Sequence, residues 1–183
     1  MSRRIKNIFS KKSKKLVTFI TGGDPSYKKS LKIIKKLKDC GSDIIEIGMP
    51  FSDPMADGPI IQASSLRAIK KGIDLNKIFL LCKDFRKLDK ETPLILMGYY
   101  NPIHHFGDKK FISECNDSGI DGLIIVDLQP ENDSYLSNLA AKNNIEFIRL
   151  VTPTTDEMRL KKIKFSFFSF FFSALTFSNK ILM

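Results

Sequence analysis

Two carboxylates flank the end of a predicted strand at a spacing that suits acid and base chemistry. Glu46 is the single charged side chain inside an isoleucine-rich run, and Asp57 follows eleven positions later in a loop that contains Pro50, Pro54 and Pro59. Proline restricts the backbone, so this loop is built to hold its side chains in place. A carboxylate in apolar surroundings has a raised pKa, whereas one in a polar loop stays ionised. Such a pair can divide the roles of acid and base between its members.

The strand by itself leaves two interpretations of Glu46 open. Strand alternation places Ile45 and Ile47 on one face and Glu46 with Gly48 on the other. In a barrel the second face is the lumen, where a buried carboxylate is suited to catalysis. At an exposed sheet edge the same residue is an ordinary rim glutamate. The constrained loop that follows favours the catalytic interpretation.

The elements that position these residues alternate between strands and helices. Apolar runs rich in Ile, Leu and Val predict strands at residues 16–21, 43–48, 94–99, 122–127 and 146–151. Helical spacing predicts helices at residues 27–40, 61–71, 74–85, 109–118 and 132–142, after a short amphipathic helix within residues 1–15. Strands without strict alternation indicate a parallel sheet covered by helices on both faces.

Two folds provide that environment, the doubly wound open sheet and the (β/α)8 barrel. The Gly-x-Gly-x-x-Gly turn of dinucleotide-binding proteins is absent after every predicted strand, which weakens the first alternative. A complete barrel needs eight strands and about 250 residues. The chain has 183 residues, which is too short for a complete barrel, so the strand and helix pattern alone leaves both folds open.

Composition excludes several classes of function. The net charge of +10 comes from basic residues at the two ends, seven of them within residues 1–15, while the body of the chain is neutral. We therefore expect no nucleic-acid partner. Cys40, Cys82 and Cys115 fit no metal-ligand pattern and are typical of reduced thiols in a cytoplasmic protein. No targeting or membrane-spanning segment is evident, and His104 and His105 lack further ligands for a metal.

One long motif carries a resemblance to a known family. The run Ile45-Glu-Ile-Gly-Met-Pro-Phe-Ser-Asp-Pro-Met-Ala-Asp-Gly-Pro59 resembles the signature of the tryptophan synthase alpha chains. Four further segments resemble the ends of the family's first, third, fourth and fifth strands, in the same order. They are Thr18–Pro25, Leu96–Pro102, Asp121–Asp127 and Phe147–Asp156.

The resemblance implies an α/β fold, the (β/α)8 TIM barrel, and this chain is expected to form about five to six of its eight βα units. It also implies cleavage of indole-3-glycerol phosphate to indole and glyceraldehyde 3-phosphate without a metal or an organic cofactor. Glu46 matches the family's catalytic glutamate, and Asp57 matches its catalytic aspartate. Phe19 and Tyr99 lie at strand ends where the indole needs an apolar wall, so they are predicted to contact substrate. Met97 is predicted to belong to the barrel core.

The resemblance also implies a partner. Members of the family pass indole to a beta chain that holds pyridoxal phosphate, in an alpha2beta2 tetramer. Asp53, Asn101 and Pro102 fall in segments that face this partner, the latter two in a predicted loop at residues 100–107. His104 and His105 are predicted to be solvated residues of the same loop.

The resemblance ends after residue 163, and the sequence predicts a barrel domain at residues 1–163 followed by an aberrant tail at 164–183. The tail holds seven phenylalanines and no glycine. The family's phosphate-binding loops usually contain glycine, because their backbone N–H groups must approach the phosphate closely. A sixth strand, a membrane anchor and a reading-frame slip are the alternatives, of which the frame slip is favoured. A catalytically inactive fragment that binds the beta chain is therefore the alternative function, and another sugar-phosphate barrel enzyme ranks last.

Overall fold

The computed structural model describes residues 2–10, 13–133, 135–151, 155–166 and 172–173. Its strands are β1 (Val17–Thr21), β2 (Ile44–Gly48), β3 (Leu94–Gly98), β4 (Gly122–Ile125), β5 (Glu146–Phe147), β6 (Leu150–Val151) and β7 (Phe172–Ser173). Its helices are α1 (Arg3–Ser10), α2 (Tyr27–Asp39), α3 (Pro59–Lys70), α4 (Leu75–Leu88), α5 (Tyr100–Phe106), α6 (Asp108–Asp117), α7 (Tyr135–Lys142) and α8 (Glu157–Ser166), with one 3-10 turn at Pro130–Asn132.

The first five strands form one parallel sheet in which spatial order equals chain order, β1-β2-β3-β4-β5. A doubly wound sheet reverses its strand order at a switch point, and no reversal occurs here. A steady progression of βα units is instead how a (β/α)8 barrel grows. The prediction of an incomplete barrel is therefore confirmed, with five of its strands in this sheet.

The sheet separates two apolar layers, as a barrel wall does. An outer core lies between the sheet and its helices and includes Ile45, Ile47, Leu94, Leu96 and Leu123 from the strands, together with Phe79, Phe85 and Phe111 from the helices. An inner cluster lies on the other face and consists of Ile5, Ile44, Ile95, Ile124 and Ile148. The predicted alternation around Glu46 is thus confirmed, because its two isoleucine neighbours belong to the outer core.

Local sequence signals set where the helices begin and end. The Ser26 hydroxyl caps α2, and the Asp74 carboxylate caps α4 by accepting the N–H of Lys77 at 2.9 Å. Gly72 and Gly119 follow α3 and α6 with φ of +72° and +67°, a conformation that strains other residues. These ends match the predicted ones within two residues.

Helix α1 covers the end of the barrel at which the strands begin. Ile5 inserts its side chain into the inner cluster with 2% exposure. Beside it, the buried Asp121 carboxylate accepts hydrogen bonds from Arg4 at 2.9 Å, from Arg86 at 2.7 Å and from the backbone N–H of Leu94 at 2.9 Å. The Asp121 carboxylate thereby joins α1 and α4 to the sheet. The buried Ile5 on a helix whose polar side chains are mostly exposed confirms the expected amphipathic helix, which lies across the end of the domain.

Two predicted segments differ from the structure. Residues 100–107 were expected to form a loop, but Tyr100–Phe106 is helix α5. Its Asn-Pro pair lies in the first turn, where proline is tolerated because its missing N–H has no partner there in any case. The predicted strand 146–151 is divided into β5 and β6. The division falls at Arg149, whose side chain binds the Leu128 carbonyl and the Asp133 carboxylate.

The predicted domain boundary after residue 163 falls inside α8, which continues to Ser166. Beyond it, β7 pairs in parallel with β6, and the rest of the predicted tail lies outside the described residues. No helix in the described part of the chain has both the length and the apolar character needed to cross a membrane.

Candidate active site

The Glu46 carboxylate lies on the inner face of the sheet, toward the C-terminal ends of the strands, where the loops of a barrel carry the functional residues. Strand β2 pairs on both sides, so that Glu46 stands between Phe19 on β1 and Ile95 on β3. Residues at these register positions share one face, and that face is the inner one because Ile95 belongs to the inner cluster. The parallel sheet therefore holds Glu46 with an aromatic side chain on one flank and an aliphatic one on the other.

Burial defines the chemical character of Glu46. The residue is 8% exposed, and no hydrogen bond or ion pair reaches its carboxylate from the described residues. Burial in this apolar setting raises its pKa from 4.5 to about 7. Near neutral pH the group therefore exists in both protonation states, as a proton donor or acceptor requires.

Asp57 is presented by the loop between β2 and α3. The loop is held at several points, with the Met49 N–H donating to the Met97 carbonyl at 2.7 Å and the Gln62 amide donating to the Asp57 carbonyl at 2.8 Å. The Asp57 carboxyl is partly buried, and burial raises its pKa while the Tyr99 hydroxyl lowers it. Its surroundings are more polar than those of Glu46, as expected for a pair with unlike roles.

Tyr99 links the loop to the end of β3. Its ring is 3% exposed and packs against Phe51 at 5.4 Å between centroids. Its hydroxyl accepts the Ala56 N–H at 3.0 Å and hydrogen-bonds the Asp57 side chain. The loop that carries Asp57 is thereby fixed to the sheet through one phenol oxygen.

Phe19 forms the open side of a small pocket that Asp57 and Tyr99 also line, whereas Glu46 lies two residues before Gly48 on β2 and is not among the described lining residues. Its side chain is 39% exposed, and its ring lies over Gly48, where an added Cβ would approach the ring to 2.7 Å. The pocket between these groups encloses about 20 Å³, the space of about one water molecule. Met97 is partly buried, packs on the inner cluster as expected for a core residue, and also reaches this pocket.

Sequence reasoning missed several residues that line the pocket, which are Thr21, Met49, Ile61, Ser65, Gly98 and Val126. The Thr21 hydroxyl is 2.6 Å from that of Ser64, and Ser65 is 4% exposed. Thr21 stands two residues after Phe19 on β1, so alternation could have identified it. Ser65 comes from α3, and no strand pattern points to it.

A second, larger cavity of about 310 Å³ opens at the ends of β4 and β6 and shares Val126 with the first. Arg149 and Arg159 lie in its wall. The Arg149 guanidinium forms a buried ion pair with Asp133, whereas the Arg159 guanidinium lies 3.7 Å from the carboxylate of partly exposed Glu131. Space next to the candidate site is therefore available for a longer ligand.

The residues expected to face a partner lie on the surface near the pocket. Asp53 is exposed in the loop after β2, Asn101 is exposed in the first turn of α5, and Pro102 beside it is half-buried. His104 and His105 are exposed on the same helix, which corrects their placement in a loop. Among the described residues, no group of three His, Cys, Asp or Glu side chains is placed to hold a metal ion.

Comparison with known proteins gives one consistent result. The family model described as tryptophan synthase alpha chain matches residues 5–174. The solved alpha subunit of Legionella pneumophila strain Paris is 38% identical, with a TM-score of 0.83 over 88% of this chain and 62% of that one. A protein from Aquifex aeolicus VF5 is 40% identical, with a TM-score of 0.81 over 86% of this chain and 62% of that one.

A further match is a chain from the tryptophan synthase a2b2 complex of Pyrococcus furiosus, 40% identical, with a TM-score of 0.77 over 81% of this chain and 63% of that one. This chain therefore spans less than two thirds of the length of these solved relatives. The range that the family model matches includes the strand that carries Glu46, and the structural matches cover more than four fifths of the chain. The chain belongs to the tryptophan synthase alpha chain family.

Proposed function

We propose that this chain carries the site of a carbon-carbon lyase that cleaves indole-3-glycerol phosphate to indole and glyceraldehyde 3-phosphate. The observation that carries the proposal is the Glu46 carboxyl, 8% exposed, unpaired within the described residues and with a pKa raised to about 7. It shares the end of the sheet with Asp57, which a tethered loop presents. Membership of the alpha chain family supports the same reaction.

Glu46 is the proposed proton carrier. Cleavage of the bond between indole C3 and the glycerol carbon requires a proton on C3, which converts the ring to an indolenine with a positively charged nitrogen. The protonated Glu46 carboxyl donates this proton, and the resulting carboxylate then accepts the proton of the neighbouring hydroxyl as the carbon-carbon bond breaks. The bonding electrons return to the indole ring, and the hydroxyl carbon becomes the aldehyde.

Asp57 is the proposed electrostatic partner. Its carboxylate accepts a hydrogen bond from the indole N–H and stabilises the positive charge that develops on the ring nitrogen. Partial burial raises the pKa of Asp57, and the hydrogen bond from the Tyr99 hydroxyl opposes that rise and so favours the ionised form that this role needs. Phe19 and Tyr99 supply the apolar wall on which the indole ring rests.

Substrate entry requires the pocket to enlarge. An enclosed space of about 20 Å³ does not admit an indole ring. The Phe19 ring is the wall group most exposed to solvent, and it rests on Gly48, so we expect it to swing outward when substrate binds. The adjoining cavity of about 310 Å³ then offers room for the glycerol phosphate.

The proposed partner is a tryptophan synthase beta chain, which would hold the pyridoxal phosphate of the complex. The solved Pyrococcus furiosus relative is an a2b2 complex. Exposed Asp53 and Asn101, with half-buried Pro102, supply surface for such a partner near the mouth of the candidate site. No cofactor is proposed for this chain itself.

Indole release from indole-3-glycerol phosphate, with and without beta chain, tests the reaction. We expect Glu46→Gln and Asp57→Asn to abolish release while circular dichroism stays unchanged. Glu91→Gln, whose side chain is 71% exposed at the opposite end of the barrel, is the matched control and should keep wild-type activity. Equal activity of Glu46→Gln and wild type would refute the proposed role.

A second candidate function is binding of the beta chain without catalysis. It is favoured by the exposed Asp53 and Asn101 near the candidate site, which the proposed reaction does not use. The two candidates separate in one experiment, because a binding protein forms a complex with the beta chain by sedimentation yet releases no indole. The lyase forms the complex and also releases indole.

A further inference from the structure

A basic groove lies at the end of the barrel opposite the candidate site, beside the N-terminal ends of β3 and β4. It has a volume of about 670 Å³. Among the described residues, six cationic side chains line it, which are Arg3 and Arg4 from α1, Lys83, Arg86 and Lys87 from α4, and Lys90 from the loop that follows. Asp117 is the single acidic residue in the described lining. The proposed lyase reaction uses none of these residues.

The six cations divide into a fixed base and an available rim. Arg4 and Arg86 are held by the buried Asp121 carboxylate, with side-chain exposures of 25% and 10%. At the rim, Arg3 and Lys87 are more than 70% exposed and make single exposed contacts to Glu91 at 3.4 Å and Asp84 at 2.8 Å.

Lys83 makes a partly exposed pair with Glu114 at 3.0 Å, and Lys90 makes no ion pair with any described residue. Exposed ion pairs contribute little and exchange readily with other anions. The rim lysines and Arg3 are therefore able to turn toward a ligand, while the fixed arginines keep the floor of the groove positive.

Ser118 provides a second and independent sign of a ligand. This residue lines the groove, is 1% exposed, and its hydroxyl has no hydrogen-bond partner among the described residues. Buried hydroxyls nearly always have a partner, so the missing partner of Ser118 is consistent with a ligand oxygen that reaches it when the rim side chains turn. The side-chain amide of exposed Asn116, two residues earlier, adds a further donor to the same wall.

We propose that this groove binds a small polyvalent phosphate anion. Several negative charges on one compact ligand are needed to draw the rim cations from their carboxylate partners, which a monovalent anion does not achieve. Nucleic acids are disfavoured because no aromatic side chain of the described residues lines the groove, and bases bound to proteins usually stack on aromatic rings. Phosphate oxygens match the ammonium, guanidinium and hydroxyl donors present.

Titration calorimetry of the full chain with inorganic triphosphate at low ionic strength tests the proposal. We expect saturable one-to-one binding that weakens as salt is added, because the rim is exposed to solvent. The double variant Lys87→Glu with Lys90→Glu should weaken binding by roughly tenfold or more. Ser118→Ala changes no charge and should weaken binding by about fivefold, the loss of one hydrogen bond.

Lys32→Glu with Lys35→Glu is the matched control. It makes the same change in net charge at exposed side chains of α2 that do not line the groove, and should alter binding less than twofold. Equal weakening by both double variants, or no saturable binding by wild type, would overturn the proposal. Tighter binding of single-stranded RNA than of triphosphate, lost in the same groove variant, would also overturn it by assigning the surface to nucleic acid.

Discussion

Replacing Glu46 by glutamine should change how the stability of the protein depends on pH. Burial raises the pKa of the folded-state carboxyl from 4.5 to about 7, so the folded protein binds this proton more tightly than the unfolded chain does. The folded state is therefore penalised as pH rises and the carboxyl ionises. Because a tenfold change in an equilibrium constant is about 1.4 kcal/mol, the penalty is about 1.4 kcal/mol at pH 5.5 and about 3 kcal/mol at pH 8.

Glutamine does not ionise, so the free energy of unfolding of Glu46→Gln relative to wild type should rise by about 2 kcal/mol between pH 5.5 and pH 8. The assay is urea unfolding of both proteins at the two pH values, with the free energy extrapolated to water. The test compares how the difference in free energy of unfolding between the two proteins changes with pH. The packing of the buried amide contributes the same free energy at both pH values and therefore cancels.

Glu91→Gln is the control for this measurement, since its side chain is 71% exposed. We expect its stability relative to wild type to change by less than about 0.5 kcal/mol over the same interval. A Glu46→Gln variant whose stability relative to wild type does not rise between pH 5.5 and pH 8 would refute the conclusion that Glu46 is buried and holds its proton. So would a variant that loses stability as pH rises.

Three further substitutions test the candidate site and the opposite end of the barrel. Tyr99→Phe removes the hydroxyl that fixes the catalytic loop, and should cost about 1–3 kcal/mol in urea unfolding and slow indole release. Gly48→Ala places a methyl group 2.7 Å from the exposed Phe19 ring, which turns aside to admit it, so the variant should lose no more than about 1 kcal/mol by calorimetry but release indole more slowly. Asp121→Asn breaks a buried ion-pair network and should cost about 3–5 kcal/mol in urea, and a loss below 1 kcal/mol would contradict the role of that carboxylate in holding the end of the barrel.

The face that each strand residue presents could be predicted because alternation is a local rule. Ile45 and Ile47 lie in the outer core and Glu46 lies on the opposite face, as their spacing indicated. Helix ends were predictable for the same reason, since Asp74 and Gly119 act within one turn of their own position. Choosing between the barrel and the open sheet depended on the order of strands in space, which local patterns do not encode.

Contacts between distant segments could not be predicted. The hydrogen bond from Ala56 to Tyr99 joins residues 43 positions apart, and the entry of Ser65 into the pocket depends on how α3 packs on β1. Helix α5 was missed because Asn101-Pro102 resembles a turn, and because seven residues are too few to display a helical period. The raised pKa of Glu46 was expected from its apolar neighbours, but its size depends on burial that only the folded sheet creates.

The pH dependence of kcat/KM for indole release, measured with beta chain present, tests the central claim most directly. A protonated Glu46 that starts the reaction predicts a rate that falls above about pH 7, by up to tenfold for each further pH unit, with Glu46→Gln inactive throughout. A rate that stays constant or rises between pH 6 and pH 9 would contradict Glu46 as the proton donor. Absence of indole at every pH would contradict the lyase itself and leave the binding function.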